Sequence, residues 1–188
     1  LIEIYTISYD GIEYTNRYLY DPENPTKLDS IANTSKDLSS TINLLYDDNG
    51  CLIHDEEQRA LKYDTHKRLS AVYGHDGQVI CRYHYDALGQ LIRQEVPGKP
   101  DTELHYHDGT LIATTQGSSK TSYVTDGHVY WGECVQEDGQ KSQIQFWAPD
   151  SNQSVLATVK GGGGKVQHHE YTPYGFSGGS SPSIGFNG

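Results

Sequence analysis

Apolar and polar residues alternate over short stretches of this chain, and residues that favour turns separate the stretches. Residues 79–86 (VICRYHYD) alternate in this way, and the segments 91–96 (LIRQEV) and 111–115 (LIATT) each follow a turn signal. A two-residue period is typical of strands that bury one face. Helical spacing is weak and occurs only near residues 35–45, where β-branched residues interrupt it. The pattern predicts an all-β protein.

A seven-residue pattern, Y-D-x-x-G-x-L, recurs among these stretches. Copies lie at 46–52, 63–69, 73–79 and 85–91; the third lacks the Asp, and the second has Lys67 in place of the Gly. A shortened relative lies at 102–113. The residues that define the repeat are Tyr46, Asp47, Gly50, Leu52, Tyr63, Asp64, Leu69, Tyr73, Gly77, Tyr85, Asp86, Gly89 and Leu91.

Each copy predicts a β-hairpin. Asp hydrogen-bonds the backbone of its own turn, and Gly adopts the left-handed conformation that the turn requires. The Tyr and the later Leu then flank the turn and pack as a cross-strand pair. A single hairpin is marginally stable, whereas stacked hairpins share their faces. We therefore expect the residues of the repeat to be structural rather than catalytic.

The expected fold is a curled antiparallel sheet of stacked hairpins, in one domain over residues 1–188. Residues 1–45 are interpreted as divergent hairpins, and residues 46–115 carry the clearest repeats. A long polar hairpin arm and loop at 20–40 and a flexible GGGGK turn at 161–165 interrupt the pattern. The register between hairpins cannot be predicted from spacing alone.

Composition agrees with many short strands and many turns. The 188 residues include 15 Tyr against 3 Phe, and 20 Gly. The net charge of −11 argues against nucleic-acid binding, which needs clustered Lys and Arg, but suits a basic partner. No apolar run approaches about 18 residues, so we expect no membrane span. Three widely spaced cysteines, Cys51, Cys81 and Cys134, favour buried thiols over a disulfide framework.

Candidate catalytic and ligand-binding residues are few. His105 and His107 share a strand face, and His168 and His169 are adjacent, but no third metal ligand follows from the sequence. GGGGK is followed by Val166, not by Ser or Thr, so it is not a phosphate-binding loop, and no G-x-S-x-G occurs. We expect no cofactor, no metal and no enzymatic activity.

Acidic and aromatic residues leave one alternative open. Asp55, Glu56 and Glu57 are interpreted as a solvated charge run. Trp131 and Trp147 are expected to pack between hairpins, but exposed rings of this kind also stack on sugars. A carbohydrate-binding or adhesion module is therefore the alternative to a structural role.

The repeat resembles that of Rhs/YD-repeat proteins. The segment FWAPDSNQSVLATV (146–159) is similar to a stretch typical of that family. EYTPYG (170–175), which includes Tyr171, Pro173, Tyr174 and Gly175, and GFNG (185–188) resemble the end of the Rhs core in the C component of insecticidal toxin complexes. On this resemblance, residues 116–188 form the core end.

The resemblance implies a secreted or extracellular protein that forms the wall of a hollow shell. Such shells enclose a toxin polypeptide until delivery, so the implied partners are that polypeptide and the rest of the shell. The family's autoprotease motif, D-P-x-G, is not matched here, because Asn24 follows Asp21-Pro22 at the Gly position. A residual proteolytic activity in the core is a second alternative to the structural role. A third alternative is a scaffold that self-associates through exposed sheet edges.

Overall fold

The computed structural model of the chain describes residues 4–9, 12–34 and 41–171, and the described residues form seventeen β-strands without a helix. The predicted all-β fold is confirmed. Within the described residues, no helix is long and apolar enough to cross a membrane. The weak helical spacing falls mostly on 35–40, which lies outside the described residues, and 41–43 form a strand.

The chain divides into two compact units, Leu1–Tyr83 and His84–Gly188. The single domain over residues 1–188 stays a prediction. The strands that begin in the first unit are β1 (Ile4–Tyr9), β2 (Ile12–Tyr20), β3 (Leu28–Asn33), β4 (Thr41–Asn43), β5 (Leu45–Tyr46), β6 (Leu52–His54), β7 (Ala60–Tyr63), β8 (Leu69–Tyr73) and β9 (Val79–Tyr85).

The second unit contains the last two residues of β9 and all later strands. These are β10 (Leu91–Glu95), β11 (Thr102–His107), β12 (Thr110–Gln116), β13 (Ser119–Thr125), β14 (Tyr130–Glu137), β15 (Gln143–Pro149), β16 (Val155–Lys160) and β17 (Gln167–His168).

Within each sheet, strands that follow one another in the chain are hydrogen-bonded neighbours. In the first unit, β1 to β4 form one antiparallel sheet and β5 to β9 follow chain order in another. In the second unit, β10 to β17 also follow chain order. This arrangement is the predicted succession of hairpins.

A β-bulge follows seven of the hairpin turns in the described part of the chain. In the Tyr63 hairpin, Tyr63 lies opposite Leu69 and Lys62 lies opposite Ala71, so Ser70 is an extra residue. An extra residue of this kind disrupts the ladder locally and increases the twist. We call the extra residue at each shift the bulge residue. The seven bulge residues are Asp29, Ile53, Ser70, Ile80, Ile112, Trp131 and Leu156.

Few side chains of this fold are fully buried. The buried apolar residues are Ile42, Leu44, Ala71, Val72 and Cys81 in the first unit, and Ala113, Trp147 and Val155 in the second. Among the described residues, Val155 alone has less than 2% of its surface exposed. Stability therefore depends strongly on hydrogen bonds in the turns and between hairpins.

Three turns place a non-glycine residue in the left-handed region where the repeat has Gly. The φ angles are 60° at Gln58, 61° at Lys67 and 67° at Gln153. A side chain in this region strains the backbone, because Cβ lies too close to the carbonyl oxygen. Gln58 is exposed, so its substitution isolates the backbone effect.

We expect Gln58→Gly to raise the free energy of unfolding by roughly 0.5–1 kcal/mol, because Gly relieves this strain. Urea denaturation would measure the change. As the reverse control, Gly89→Ala places a Cβ at φ 88° and is expected to lower stability. A lower midpoint for Gln58→Gly than for the parent chain would contradict the prediction.

Candidate functional site

The repeated element of this structure is a five-residue turn that begins with Asp. At Asp86, carboxylate Oδ1 accepts the backbone N–H groups of Leu88 and Gln90, both at 2.9 Å. The N–H of Gly89 donates to the carbonyl of Asp86, and the N–H of Asp86 donates to the carbonyl of Gln90. The same four bonds form in the turns that begin at Asp47, Asp55, Asp64 and Asp150.

Sequence reasoning missed two of these turns, those at Asp55 and Asp150. Neither follows a Tyr, and each has Gln at the left-handed position, at Gln58 and Gln153. These two turns could have been identified by an Asp that lies five residues before a strand and has an apolar or small residue after the turn.

Asp55 is buried, with 5% of its surface exposed, and its Oδ2 lies 2.6 Å from Nε of Arg59. Its interpretation as a solvated residue is therefore wrong, because turn bonds and an ion pair offset its burial. Glu56 and Glu57 are exposed.

The turn at Gly74 lacks the first Asp and keeps the backbone bonds. Gly74 N–H donates to the carbonyl of Gln78, and Gly77 N–H donates to the carbonyl of Gly74. Oδ1 of Asp76 accepts the N–H of Gln78 at 3.0 Å. A carboxylate two positions later thus replaces part of the missing Asp contact.

The structure brings the predicted repeat residues together around these turns. Cross-strand partners are Tyr46 with Leu52, Tyr63 with Leu69, and Tyr73 with Val79. Tyr85 ends β9 and Leu91 begins β10, on either side of the Asp86 turn. Gly50, Gly77 and Gly89 have φ of 78°, 76° and 88°. Tyr171 is described, whereas Pro173, Tyr174 and Gly175 lie outside the described residues.

Tyrosine hydroxyls connect successive hairpins, which the sequence did not predict. Tyr63 donates to the carbonyl of Leu52 at 2.8 Å. Tyr130 donates to Leu111, and Tyr171 donates to Val155, both at 3.1 Å. Each accepting residue lies directly before a bulge residue, at Ile53, Ile112 and Leu156. The bulge disrupts the strand ladder at this position, and the hydroxyl provides the carbonyl with a donor.

The electrostatics of the turns follow from these contacts. Backbone hydrogen bonding by Arg68 lowers the pKa of Asp64, and the Arg68 side chain adds to the effect. Burial alone would raise the pKa of Asp55, but hydrogen bonds from the side chain and backbone of Arg59 outweigh it, so that pKa is lowered. Burial raises the pKa of Tyr63, Tyr130 and Tyr171.

The histidines occupy separate environments. His105 lies 3.2 Å from the hydroxyl of Thr115, and buried His169 lies 3.1 Å from the hydroxyl of Thr158. Over 4–9, 12–34 and 41–171, no group of three or more His, Cys, Asp or Glu residues is placed to hold a metal ion.

The two tryptophans differ in exposure. Trp147 is 5% exposed and its ring centroid lies 6.3 Å from that of Tyr123, so it packs in the core and offers no face to a sugar. Trp131 is 45% exposed, and its Nε1 donates to Oδ2 of Asp126 at 3.3 Å. The cysteines are free thiols, with Cys81 buried and Cys51 and Cys134 partly exposed.

Successive bulged hairpins joined by Asp turns and Tyr bonds define a YD-repeat sheet protein. The model of the family described as Teneurin YD-shell matches residues 15–186, and the chain therefore belongs to that family. The resemblance to Rhs/YD-repeat proteins is confirmed. Membership supports a structural role in a shell. No curated protein matches the chain.

Solved structures of toxin complexes share the fold. A Photorhabdus luminescens Tc holotoxin pore aligns with a TM-score of 0.55 and 14% identity over 88% of this chain. A TcdB2–TccC3 structure gives 0.53 and 16% over 88%, and a TcdB2–TccC3–Cdc42 structure gives 0.51 and 15% over 89%. This chain covers 10% of each of those chains. At these identities the likeness establishes the fold alone.

We expect Tyr63→Phe and Tyr130→Phe each to lower the free energy of unfolding by about 1 kcal/mol, because each removes one hydrogen bond and leaves a carbonyl without that donor. Urea denaturation would measure the loss. Tyr123→Phe is the matched control, since no hydrogen bond of the Tyr123 hydroxyl occurs within the described part of the chain. Equal losses in all three variants would contradict a specific role for the hydroxyl bonds.

Stability is expected to peak between about pH 5 and pH 9 and to fall on both sides. Carboxyls with lowered pKa values contribute stability above their unfolded pKa, and this is lost as the pH falls. Tyrosines with raised pKa values contribute stability below about pH 10, and this is lost as the pH rises through their folded pKa.

Asp55→Asn is expected to cost about 1–3 kcal/mol at neutral pH, because Arg59 loses its buried partner and keeps only the exposed Glu57. It is also expected to reduce the loss of stability at acid pH. Urea denaturation across a pH series would test this, with Glu56→Gln as the exposed control. An unchanged loss of stability at acid pH in Asp55→Asn would contradict the assignment.

Proposed function

We propose that this chain forms part of the wall of a YD-repeat shell that encloses and delivers a toxin polypeptide. Family membership over residues 15–186 is the observation that carries the proposal. The tyrosine hydrogen bonds between hairpins add support, because each bond joins one hairpin to the next. A contact of this kind can be repeated along a longer chain. The role is structural, and the chain is not an enzyme.

The partners in this proposal are the rest of the shell and the enclosed polypeptide, and the protein acts outside the cell. Structures that share the fold include Tc holotoxin and TcdB2–TccC3 complexes, which supports a setting in toxin delivery. The repeat residues serve as scaffold: Asp fixes the turn, Gly permits its φ, and Tyr joins hairpins. Tyr171, Pro173, Tyr174 and Gly175 belong to the end of the core.

Protease protection tests enclosure directly. The natural gene product that contains this chain would be purified intact and treated with a nonspecific protease. We expect one polypeptide region to survive while the shell is folded, and to be digested after mild denaturation. A paired variant, Asp64→Ala with Asp86→Ala, weakens two turns and is expected to increase digestion of that region.

A matched variant shows whether the increase in digestion is specific to the Asp turns. Glu56→Ala changes an exposed residue and is expected to leave protection unchanged. If no region of the polypeptide other than the shell wall itself is digested more slowly in the native than in the denatured protein, the enclosure proposal fails.

A further inference from the structure

The connections of the second unit fall at two ends of its strands. Because β10 to β17 follow chain order and are antiparallel, every second connection lies at the same end. We name the end that carries connections 86–90, 108–109, 126–129 and 150–154 the first rim. The second rim carries connections 96–101, 117–118, 138–142 and 161–166.

The two rims differ in charge. Every first-rim connection begins with Asp, and none contains Lys or Arg; these residues are Asp86, Asp108, Asp126 and Asp150. The second-rim connections contain three lysines and two aspartates, namely Lys99, Lys141, Lys165, Asp101 and Asp138. The first rim is therefore an acidic edge on a unit whose opposite edge is nearly neutral.

Two first-rim carboxylates are open to solvent. Asp108 and Asp126 are exposed, whereas Asp86 and Asp150 are half-buried in their turns. Backbone hydrogen bonds from Val129 and then His128 lower the pKa of Asp126.

Exposed apolar side chains lie beside this acidic edge. Ile112, Trp131 and Leu156 are 40%, 45% and 45% exposed. Each is the bulge residue just after a first-rim connection, so they recur on alternate strands, about 10 Å apart. Bulges redirect side chains, and an apolar residue repeated at one outward position favours contact with a partner.

The indole of Trp131 is held in place by the carboxylate of Asp126. Its N–H donates to Oδ2, while Oδ1 of the same carboxylate accepts the backbone N–H groups of His128 and Val129 at 2.9 and 2.8 Å. An exposed indole face beside a fixed negative charge attracts a cation, and Trp is the best aromatic side chain for that contact.

We propose that the first rim of the second unit binds a basic and apolar segment of a partner protein. The Arg or Lys side chains of that segment lie beside Asp108 and Asp126 and over the indole of Trp131. The apolar side chains of the segment contact Ile112 and Leu156. This interaction goes beyond the shell role and does not depend on it. Charge complementarity selects this occupant, since the chain carries a net charge of −11.

Other occupants fit the rim less well. A second copy brings another net charge of −11, and its second rim offers little positive charge. A neutral sugar would use the indole but not the row of carboxylates. Both therefore become outcomes of the test.

The experiment titrates the full chain into a dye-labelled peptide that repeats Arg-Ala-Leu five times and follows fluorescence anisotropy. We expect saturable binding that weakens between about 20 and 200 mM salt, because the contacts are exposed and ionic. The same peptide with Glu in place of Arg is expected not to bind. Unlabelled peptide should also change the tryptophan emission, since Trp147 is buried and Trp131 is exposed.

Variants localise the contact. Trp131→Ala is expected to weaken binding by about 2- to 30-fold, the range for loss of one cation–aromatic contact. Asp126→Asn keeps an oxygen for the turn but loses the charge and the indole acceptor, so it should weaken binding as well. Lys141→Ala, on the second rim, is the matched control and should bind like the parent chain. Circular dichroism would verify that each variant is folded.

Several results would overturn the proposal. They are binding that does not depend on salt, equal binding of the Glu peptide, or full affinity in both Trp131→Ala and Asp126→Asn. A change in Trp131 emission caused only by a neutral polysaccharide, or only by raising the protein concentration, would also overturn it in favour of a sugar or a second copy.

Discussion

The hydrogen bonds that two turn N–H groups donate to one Asp oxygen are the contacts on which the rest of this structure depends. They satisfy backbone donors inside a five-residue turn without help from any distant residue. A turn stabilised locally places few demands on the strands that follow it. That independence explains how the described part of the chain, with so few fully buried side chains, forms strand after strand.

The bulge and the tyrosine bond follow from the geometry of these hairpins. After the turn, one extra residue shifts the register, as Ser70 does in the Tyr63 hairpin. The shift leaves the carbonyl before the bulge available, and at Leu52 it is bonded by the hydroxyl of Tyr63 from the next hairpin. The bulge residue is also an exposed apolar side chain at Ile80, Ile112, Trp131 and Leu156. One local arrangement thus sets register and links neighbouring hairpins, and at these four positions it exposes an apolar side chain.

Much of the fold could be predicted because its signals are local. Asp, Gly and the Tyr–Leu spacing identify each hairpin within seven residues, and the pairing of Tyr46 with Leu52 agrees with that spacing. The bulges could not be predicted, since register depends on contacts between strands. The turns at Asp55 and Asp150 escaped because Gln occupies a position where Gly is expected, at a cost in strain that four hydrogen bonds offset.

The distribution of these bonds explains why repetition suits the fold. The Asp turn bonds join a turn to itself, and the tyrosine bonds join one hairpin to the next. Each added hairpin therefore brings its own bonds and one shared boundary. Stability then grows with the number of hairpins and not with the depth of a single core. Weakening the contact between two hairpins therefore destabilises those two hairpins first. A chain built in this way extends without redesign of what precedes it, which is the physical requirement of a long shell wall.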